Sequence, residues 1–267
     1  MKLPRYRTGD ATLDNMVAAL VERTADERDA DLIFELIVTA LRLARDHADR
    51  GDLKMANAAL KEMRYAFHVF EPYRAQRKAA IFGSARTQPD DPLYHQARRF
   101  ARAIAARDWM VITGAGPGIM EAGIEGAGAD RAFGVSIRLP FEAATSQLVA
   151  DDPKLVNFRY FFTRKVTFVK EADAFVLLPG GFGTLDETYE MITWAQLGFH
   201  DKPVAFFNVN GYFDSLLAFA ARAVADGFVR AEHGAMALVA STPDELLARM
   251  ESYTGPPAPK WIGPGET

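Results

Sequence analysis

The stretch AFVLLPGGFGTLDE, residues 174–187, decides the predicted fold. It begins with apolar residues without polar alternation, which is typical of a strand covered on both faces of a parallel sheet. Three glycines follow within residues 180–183, and the turn runs directly into a helical pattern. A strand, a glycine turn and a helix in this order predict a unit of a doubly wound α/β domain.

The rest of the chain extends this pattern. Further strands are predicted at 79–83, 109–114, 132–139, 204–209 and 235–240, with a weaker one at 154–161. Helical spacing of apolar residues predicts three helices at 12–24, 27–50 and 52–70. We therefore expect an N-terminal helical extension at 1–78, a Rossmann-like parallel sheet domain at 79–254 and a Pro/Gly-rich tail at 255–267.

Composition excludes several classes of protein. The net charge of −4 gives no broad positive field for nucleic acid, and the absence of cysteine excludes disulfide frameworks, thiol catalysis and cysteine-based zinc sites. The five histidines show no metal-ligand spacing, so we expect no metal. Apolar stretches too short to span a bilayer and an N-terminus without a secretory h-region predict a cytoplasmic protein without a membrane partner.

A first glycine turn, Gly114-Ala-Gly116-Pro-Gly118, precedes a predicted helix that contains Met120. Such a turn brings backbone N–H groups close to a phosphate. It departs from the dinucleotide motif because Ile119 takes the place of the third glycine, and it lacks the lysine of a P-loop. The sequence leaves open a turn that serves helix–strand packing alone.

The second turn, at Gly180, Gly181 and Gly183, is denser and is followed by Thr184 and Glu187. The T-x-x-E spacing of the last two also fits a capping box, which would stabilise the helix by about 1 kcal/mol. Three glycines exceed what a cap requires, so we favour a ligand site beside a carboxylate. A third small-residue turn, at Gly83 and Ser84, would reach the same crevice or be an ordinary strand-to-loop turn.

Two cations, Arg164 and Lys165, lie near the start of a helix predicted to run to Glu171. Cations at a helix N-terminus oppose the helix dipole, so a negative group is expected nearby. A substrate phosphate suits the Arg164 fork, and neighbouring carboxylates are the alternative. The Lys165 ammonium group could instead be exposed to solvent without a specific partner.

These residues carry a resemblance to the LOG (LONELY GUY) family of cytokinin riboside 5′-monophosphate phosphoribohydrolases, long labelled lysine decarboxylases. The family signature P-G-G-x-G-T-x-x-E is complete at 179–187, and the family's Arg-Lys pair matches Arg164 and Lys165. The segments 173–175, 192–198 and 201–204 also match, and the resemblance covers about residues 79–250. The first glycine turn differs from the family's G-G-G-x-x-G-L-M, and the helical N-terminus is similar to the longer bacterial, type II-like group.

The resemblance implies hydrolysis of the N-glycosidic bond of a nucleoside 5′-monophosphate, either AMP or an N6-substituted AMP. It implies that Glu187 and Arg164 are catalytic, that no cofactor is needed, and that the protein is a homodimer or higher homo-oligomer. The expected substrate-binding residues are Gly83, Ser84, Gly114, Gly116, Gly118, Met120, Glu142, Lys165, Gly180, Gly181, Gly183, Thr184 and Thr193.

Several alternatives stay open at this point. A broader nucleotide nucleosidase of salvage metabolism would use the same chemistry, and a non-catalytic nucleotide or cofactor carrier would use the same fold. Asp186 and Glu190 are candidates for a general acid, although we favour a solvated helix face as the explanation for both. The preferred base and the role of the N-terminal helices are not indicated by the residues.

Overall fold

The structure is a computed structural model that describes residues 3–26, 28–138, 146–234 and 236–255. The chain divides by its internal contacts into two units, Met1–Leu60 and Lys61–Thr267. Glu142 and the predicted tail from residue 256 onward lie outside the described residues. In the part of the chain that is described, no helix combines the length and apolar character needed to cross a bilayer.

The first unit is helical. It contains α1 (Ala11–Glu22), α2 (Ala30–Arg45) and the beginning of α3 (Arg50–Phe70). Asp10 begins α1 as its N-cap, because its carboxylate accepts two backbone N–H groups of the first turn. The small core of this unit comes from residues at helical spacing on α1 and α2, namely Val17, Val21, Ala30, Phe34 and Val38.

The second unit contains a sheet of seven strands, and all its pairings are parallel. The strands are β1 (Lys78–Phe82), β2 (Met110–Thr113), β3 (Ala132–Ile137), β4 (Leu155–Phe158), β5 (Ala174–Leu177), β6 (Val204–Phe207) and β7 (Ala237–Ala240). Their order is β4-β3-β2-β1-β5-β6-β7. The predicted doubly wound, Rossmann-like sheet is thereby confirmed.

Helices cover both faces of this sheet. The described helices after α3 are α4 (Pro92–Ala105), α5 (Ile119–Ala127), α6 (Phe161–Glu171), α7 (Phe182–Gln196), α8 (Asp214–Ala225), α9 (Ala231–Gly234) and α10 (Pro243–Glu251). On β1, Ile81 packs into one core with α4 and α10, whereas Ala80 and Phe82 pack into the other with α6 and the end of α3. Burial on both faces explains why the strands lack polar alternation.

Several boundaries differ from the sequence prediction, and the one between β4 and α6 affects the site. Residues 154–161 were expected to be a strand, but β4 ends at Phe158 and α6 begins at Phe161. The aromatic residues of this segment favour strand structure, but that preference depends on context, and tertiary packing overrides it. Arg164 is therefore the fourth residue of α6, rather than standing at its start.

The strand order determines which loops lie next to one another at the edge of the sheet. It reverses at β1, whose neighbours are β2 on one side and β5 on the other. Ligands of such sheets bind beside the carboxyl ends of the strands at this reversal. The glycine turns that follow β1, β2 and β5 therefore meet at one edge of the sheet.

Candidate active site

A cavity of about 630 Å³ lies at this edge of the sheet. Its volume falls in the range of small-molecule sites. It brings together most of the predicted site residues, namely Gly83, Ser84, Gly114, Gly116, Met120, Arg164, Gly181, Gly183, Thr184 and Glu187. Residues that are far apart in the sequence thus share one concave surface.

An ion pair between α6 and α7 lies in the wall of the cavity. Arg164 donates from Nη1 to Oε1 of Glu187 at 3.3 Å, and both side chains are about nine-tenths buried. A carboxylate of the chain itself is therefore the negative partner of Arg164, one of the two kinds of anion that the sequence leaves open. A buried ion pair of this kind contributes little to the free energy of unfolding, because the cost of desolvating both charges offsets their attraction. Its presence in a cavity therefore favours a functional role.

Burial and charge act in opposite directions on this pair. Burial raises the pKa of the Glu187 carboxyl, while the Arg164 guanidinium favours its ionised form. Burial likewise lowers the pKa of Arg164, and Glu187 opposes that shift. The guanidinium stays charged because the ordinary pKa of arginine is so high. The result is a glutamate that is more basic than usual and is held beside a fixed cation.

The guanidinium of Arg164 is fixed by two further contacts. Its Nε donates to the carbonyl oxygen of Val135, in β3, at 2.9 Å, and its Cζ lies 5.2 Å from the centre of the Phe168 ring. A side chain at Gly114 would place a Cβ 2.6 Å from Nη2 of Arg164. Glycine at position 114 is therefore required for Arg164 to occupy this place.

At three other glycines, neighbouring atoms leave no room for a side chain. A Cβ at Gly118, whose φ is +70°, would overlap the carbonyl oxygen of Ser84, and a Cβ at Gly180 would overlap Oγ1 of Thr184. At Gly83 it would lie 2.5 Å from the Ile119 side chain. Gly118 and Gly180 do not line the cavity. In the first glycine turn, Gly118 therefore serves packing, which is one of the two roles that the sequence leaves open.

Gly181 and Gly183 are different, because a Cβ on either residue would meet no atom within 4 Å. Gly181 is the N-cap of α7 and supplies no side-chain acceptor, so the first-turn N–H groups lack an intrahelical partner. The capping-box alternative is wrong, since Thr184 lies inside the first turn and Glu187 pairs with Arg164. Both glycines face the cavity, where they expose the positive end of α7.

Two further predicted residues, Lys165 and Thr193, lie outside this cavity lining, as Gly118 and Gly180 do. Lys165 is only partly buried, and its Nζ lies 3.0 Å from Asp186 and 3.2 Å from Glu190. Burial alone would lower the pKa of Lys165, but the contacts with these two carboxylates raise it. Thr193 is exposed and lines a separate groove on the outer side of α7, together with Tyr189.

The cavity also contains residues that the sequence analysis did not single out. Ser136 and Ile137 line it at the carboxyl end of β3, and Phe161 lines it from the first turn of α6. Arg86, directly after the Gly83-Ser84 turn, adds a cation to the lining. The positions of Ser136 and Ile137 at a strand end were a usable signal, because ligands bind at that edge.

A family model and several known proteins are similar to this chain. A family model described as "Possible lysine decarboxylase" matches residues 117–250, slightly more than half of the chain. In Oryza sativa subsp. japonica, the probable cytokinin riboside 5′-monophosphate phosphoribohydrolase LOGL1 is 50% identical over 91 residues, which are 34% of this chain and 41% of the relative. In Arabidopsis thaliana, cytokinin riboside 5′-monophosphate phosphoribohydrolase LOG4 is 48% identical over 91 residues, 34% of this chain and 42% of the relative.

These matches span only about two fifths of the length of the plant relatives. Among solved structures, the X-ray structure of the structural-genomics target TM1055 aligns with a TM-score of 0.50 and 19% sequence identity. That alignment covers 67% of this chain and 100% of TM1055. At this identity the likeness supports the fold alone.

Proposed function

The chain belongs to the family described as "Possible lysine decarboxylase", and from this premise we propose that it hydrolyses the N-glycosidic bond of a nucleoside 5′-monophosphate. The products would be the free base and ribose 5-phosphate. The observation that carries the proposal is the buried Arg164–Glu187 pair at the wall of the cavity. The names of the plant relatives support the substrate class.

The proposed reaction needs a carboxylate at the anomeric carbon. As the bond between C1′ and the base nitrogen breaks, positive charge develops on C1′ and the ring oxygen, and a carboxylate stabilises it. Glu187 would also accept a proton from the water that adds to C1′, because burial raises its pKa. The base would leave with the bonding electrons and take up a proton. Of the two acid candidates, Asp186 lines the cavity and Glu190 does not.

Arg164 would act on the same carboxylate. Its charge favours the ionised form of Glu187, and its bond to the Val135 carbonyl fixes the direction from which it approaches. Such preorganised charge contributes strongly to catalysis in a site that excludes water. We therefore assign Arg164 to the catalytic pair and propose that the sugar binds next to it.

The 5′-phosphate would bind at the start of α7. Gly181 and Gly183 leave open space there, and N–H groups at a helix N-terminus bind anions well. The hydroxyl of Thr184 lies in the same lining. Arg86 provides a further cation for this anion or for the base.

A Gly183→Ala substitution tests this phosphate site. Because the added Cβ meets no protein atom, we expect the melting temperature to stay the same or rise, since alanine is the better helix former by about 1 kcal/mol. We expect KM for AMP to rise by about tenfold or more, equivalent to about 1.4 kcal/mol of binding free energy, because the methyl group occupies phosphate space. Steady-state kinetics and thermal denaturation would measure both effects.

The matched control for this experiment is Gly126→Ala, on α5. Its Cβ would overlap the carbonyl oxygen of Arg98, so this variant should lose stability for packing reasons alone. An unchanged KM in Gly183→Ala would remove the start of α7 from the substrate site.

The family description as a lysine decarboxylase does not fit the site. A pyridoxal phosphate decarboxylase needs a lysine that forms a Schiff base with the cofactor. Among the described residues that line the cavity there is no lysine, and the nearby Lys165 is held by Asp186 and Glu190. We therefore derive no step through that cofactor.

We also propose that the protein is a homodimer or a higher homo-oligomer. Leu32 and Leu36, on α2, are 46% and 50% exposed although they lie in a strongly apolar helix. Apolar side chains at helical spacing on one exposed face are typical of an interface. Light scattering at micromolar concentration should give at least twice the 29.5 kDa mass of the chain. A monomer under these conditions would contradict this part of the proposal.

A further inference from the structure

The helix that carries Arg164 is attached at its beginning to a glutamate from α3. One carboxylate oxygen of Glu62 accepts the backbone N–H of Arg159 at 2.9 Å. The other accepts the hydroxyl of Thr163 at 2.7 Å. Glu62 therefore connects α3 to the residues immediately before Arg164.

Glu62 contacts the chain on both sides of Tyr160, the N-cap of α6. Tyr160, the N-cap of α6, makes no side-chain capping bond, although the first-turn N–H groups of any helix need partners. Thr163 is completely buried in that first turn. A carboxylate from another helix thus lies at the N-terminus of α6, where the helix dipole favours negative charge.

The hydroxyl of Thr163 has a second acceptor within reach, the carbonyl oxygen of Tyr160 at 2.9 Å. A hydroxyl has one proton and can donate it to only one of the two. The charged carboxylate of Glu62 is the stronger and nearer acceptor. Without Glu62, the Thr163 proton would turn to Tyr160, and the N–H of Arg159 would lose its partner.

We propose that Glu62 is a positioning residue for Arg164. This inference rests on the proposed function, in which Arg164 and Glu187 form the catalytic pair. Glu62 fixes the connection from β4 to α6, so that the guanidinium reaches both the Val135 carbonyl and Glu187. A displacement of about 1 Å in a catalytic group can cost about a hundredfold in rate. The last part of α3 thereby contributes to the site without lining the cavity.

The direct test is the titration of the Glu187 carboxyl by ¹³C NMR in Glu62→Ala, with Glu187→Gln used to assign the signal. Loss of the Glu62 charge by itself would lower the pKa of Glu187, because a negative charge is removed. Release of Arg164 from its position would raise the pKa, because Arg164 holds it down. We expect a rise, which a purely electrostatic role cannot produce.

Kinetics provide the second readout. In Glu62→Ala we expect kcat for AMP to fall by about ten- to a hundredfold with little change in KM, because Glu62 does not line the cavity. Glu62→Gln keeps the shape and one acceptor oxygen, so it should recover most of the rate. The control Glu71→Ala removes an exposed carboxylate just beyond α3 and should leave both readouts unchanged.

The two readouts separate this inference from the proposed function, since the titration needs no substrate. A Glu187 pKa that is unchanged or lowered in Glu62→Ala overturns the positioning role, whatever the activity. If Glu62→Ala does not fold, Thr163→Val removes one of the two bonds and should shift the pKa of Glu187 upward by a smaller amount. An unchanged pKa in that variant overturns the inference equally.

Discussion

Glu187→Gln is expected to reduce the release of base from AMP by about 10²- to 10⁴-fold, the usual contribution of a positioned acid–base group. The amide has nearly the same shape but cannot carry negative charge or accept a proton from water. Because the start of α7 and the rest of the lining are unchanged, nucleotide binding should persist. Calorimetric titration with AMP would measure binding, and chromatography of the free base would measure turnover.

The control for this variant is Glu245→Gln, on α10, where the carboxylate is 44% exposed and pairs with Arg249 at the surface. Such a pair contributes little, so activity and stability should stay close to wild type. Wild-type turnover in Glu187→Gln would remove the carboxylate from the mechanism. Loss of both binding and folding would instead point to a structural role of the ion pair.

Arg164→Ala should have the second largest effect, a fall in kcat/KM of about 10²- to 10³-fold, similar to the loss of one preorganised donor in other enzymes. The substitution leaves Glu187 buried without its cation, so the pKa of Glu187 should rise and its ionised fraction should fall. We also expect a lower melting temperature, because breaking a buried pair costs about 3–5 kcal/mol unless the carboxyl becomes protonated.

Arg164→Lys distinguishes charge from geometry. An ammonium group keeps the positive charge but cannot reproduce the fork that joins the Val135 carbonyl to Glu187. Its kcat/KM should therefore lie between those of Arg164→Ala and wild type. Arg98→Ala serves as the control, since Arg98 forms a partly exposed pair with Glu125 on the helices α4 and α5. An unaltered kcat/KM in Arg164→Ala would exclude this residue from the site.

The sequence predicted the sheet well because its strands are buried on both faces. Segments such as 174–177 are apolar at every position, and no competing helical pattern is present. The boundary between β4 and α6 was predicted less well, because Phe158, Tyr160 and Phe161 favour strands while tertiary contacts end the strand. The local strand preference of the residues thus predicts that a strand forms, whereas tertiary packing determines the residue at which it ends.

The candidate site was predictable to the extent that its residues belong to glycine turns. Gly114 and Gly118 look alike in sequence, but one makes room for Arg164 and the other for the Ser84 carbonyl. The pairing of Arg164 with Glu187 and the contact of Glu62 with Thr163 link residues that are 23 and 101 positions apart. Such contacts depend on the folded topology, so no local pattern indicates them.

The wild-type protein is expected to cleave the N-glycosidic bond of a nucleoside 5′-monophosphate. The most direct measurement is incubation with AMP and with N6-isopentenyl-AMP, followed by chromatography for free base and ribose 5-phosphate. We predict equal amounts of the two products from at least one substrate, and the ratio between substrates would separate a cytokinin-activating enzyme from a broader nucleosidase. Intact nucleotide after prolonged incubation, with binding demonstrated, would contradict the claim and favour a nucleotide or cofactor carrier.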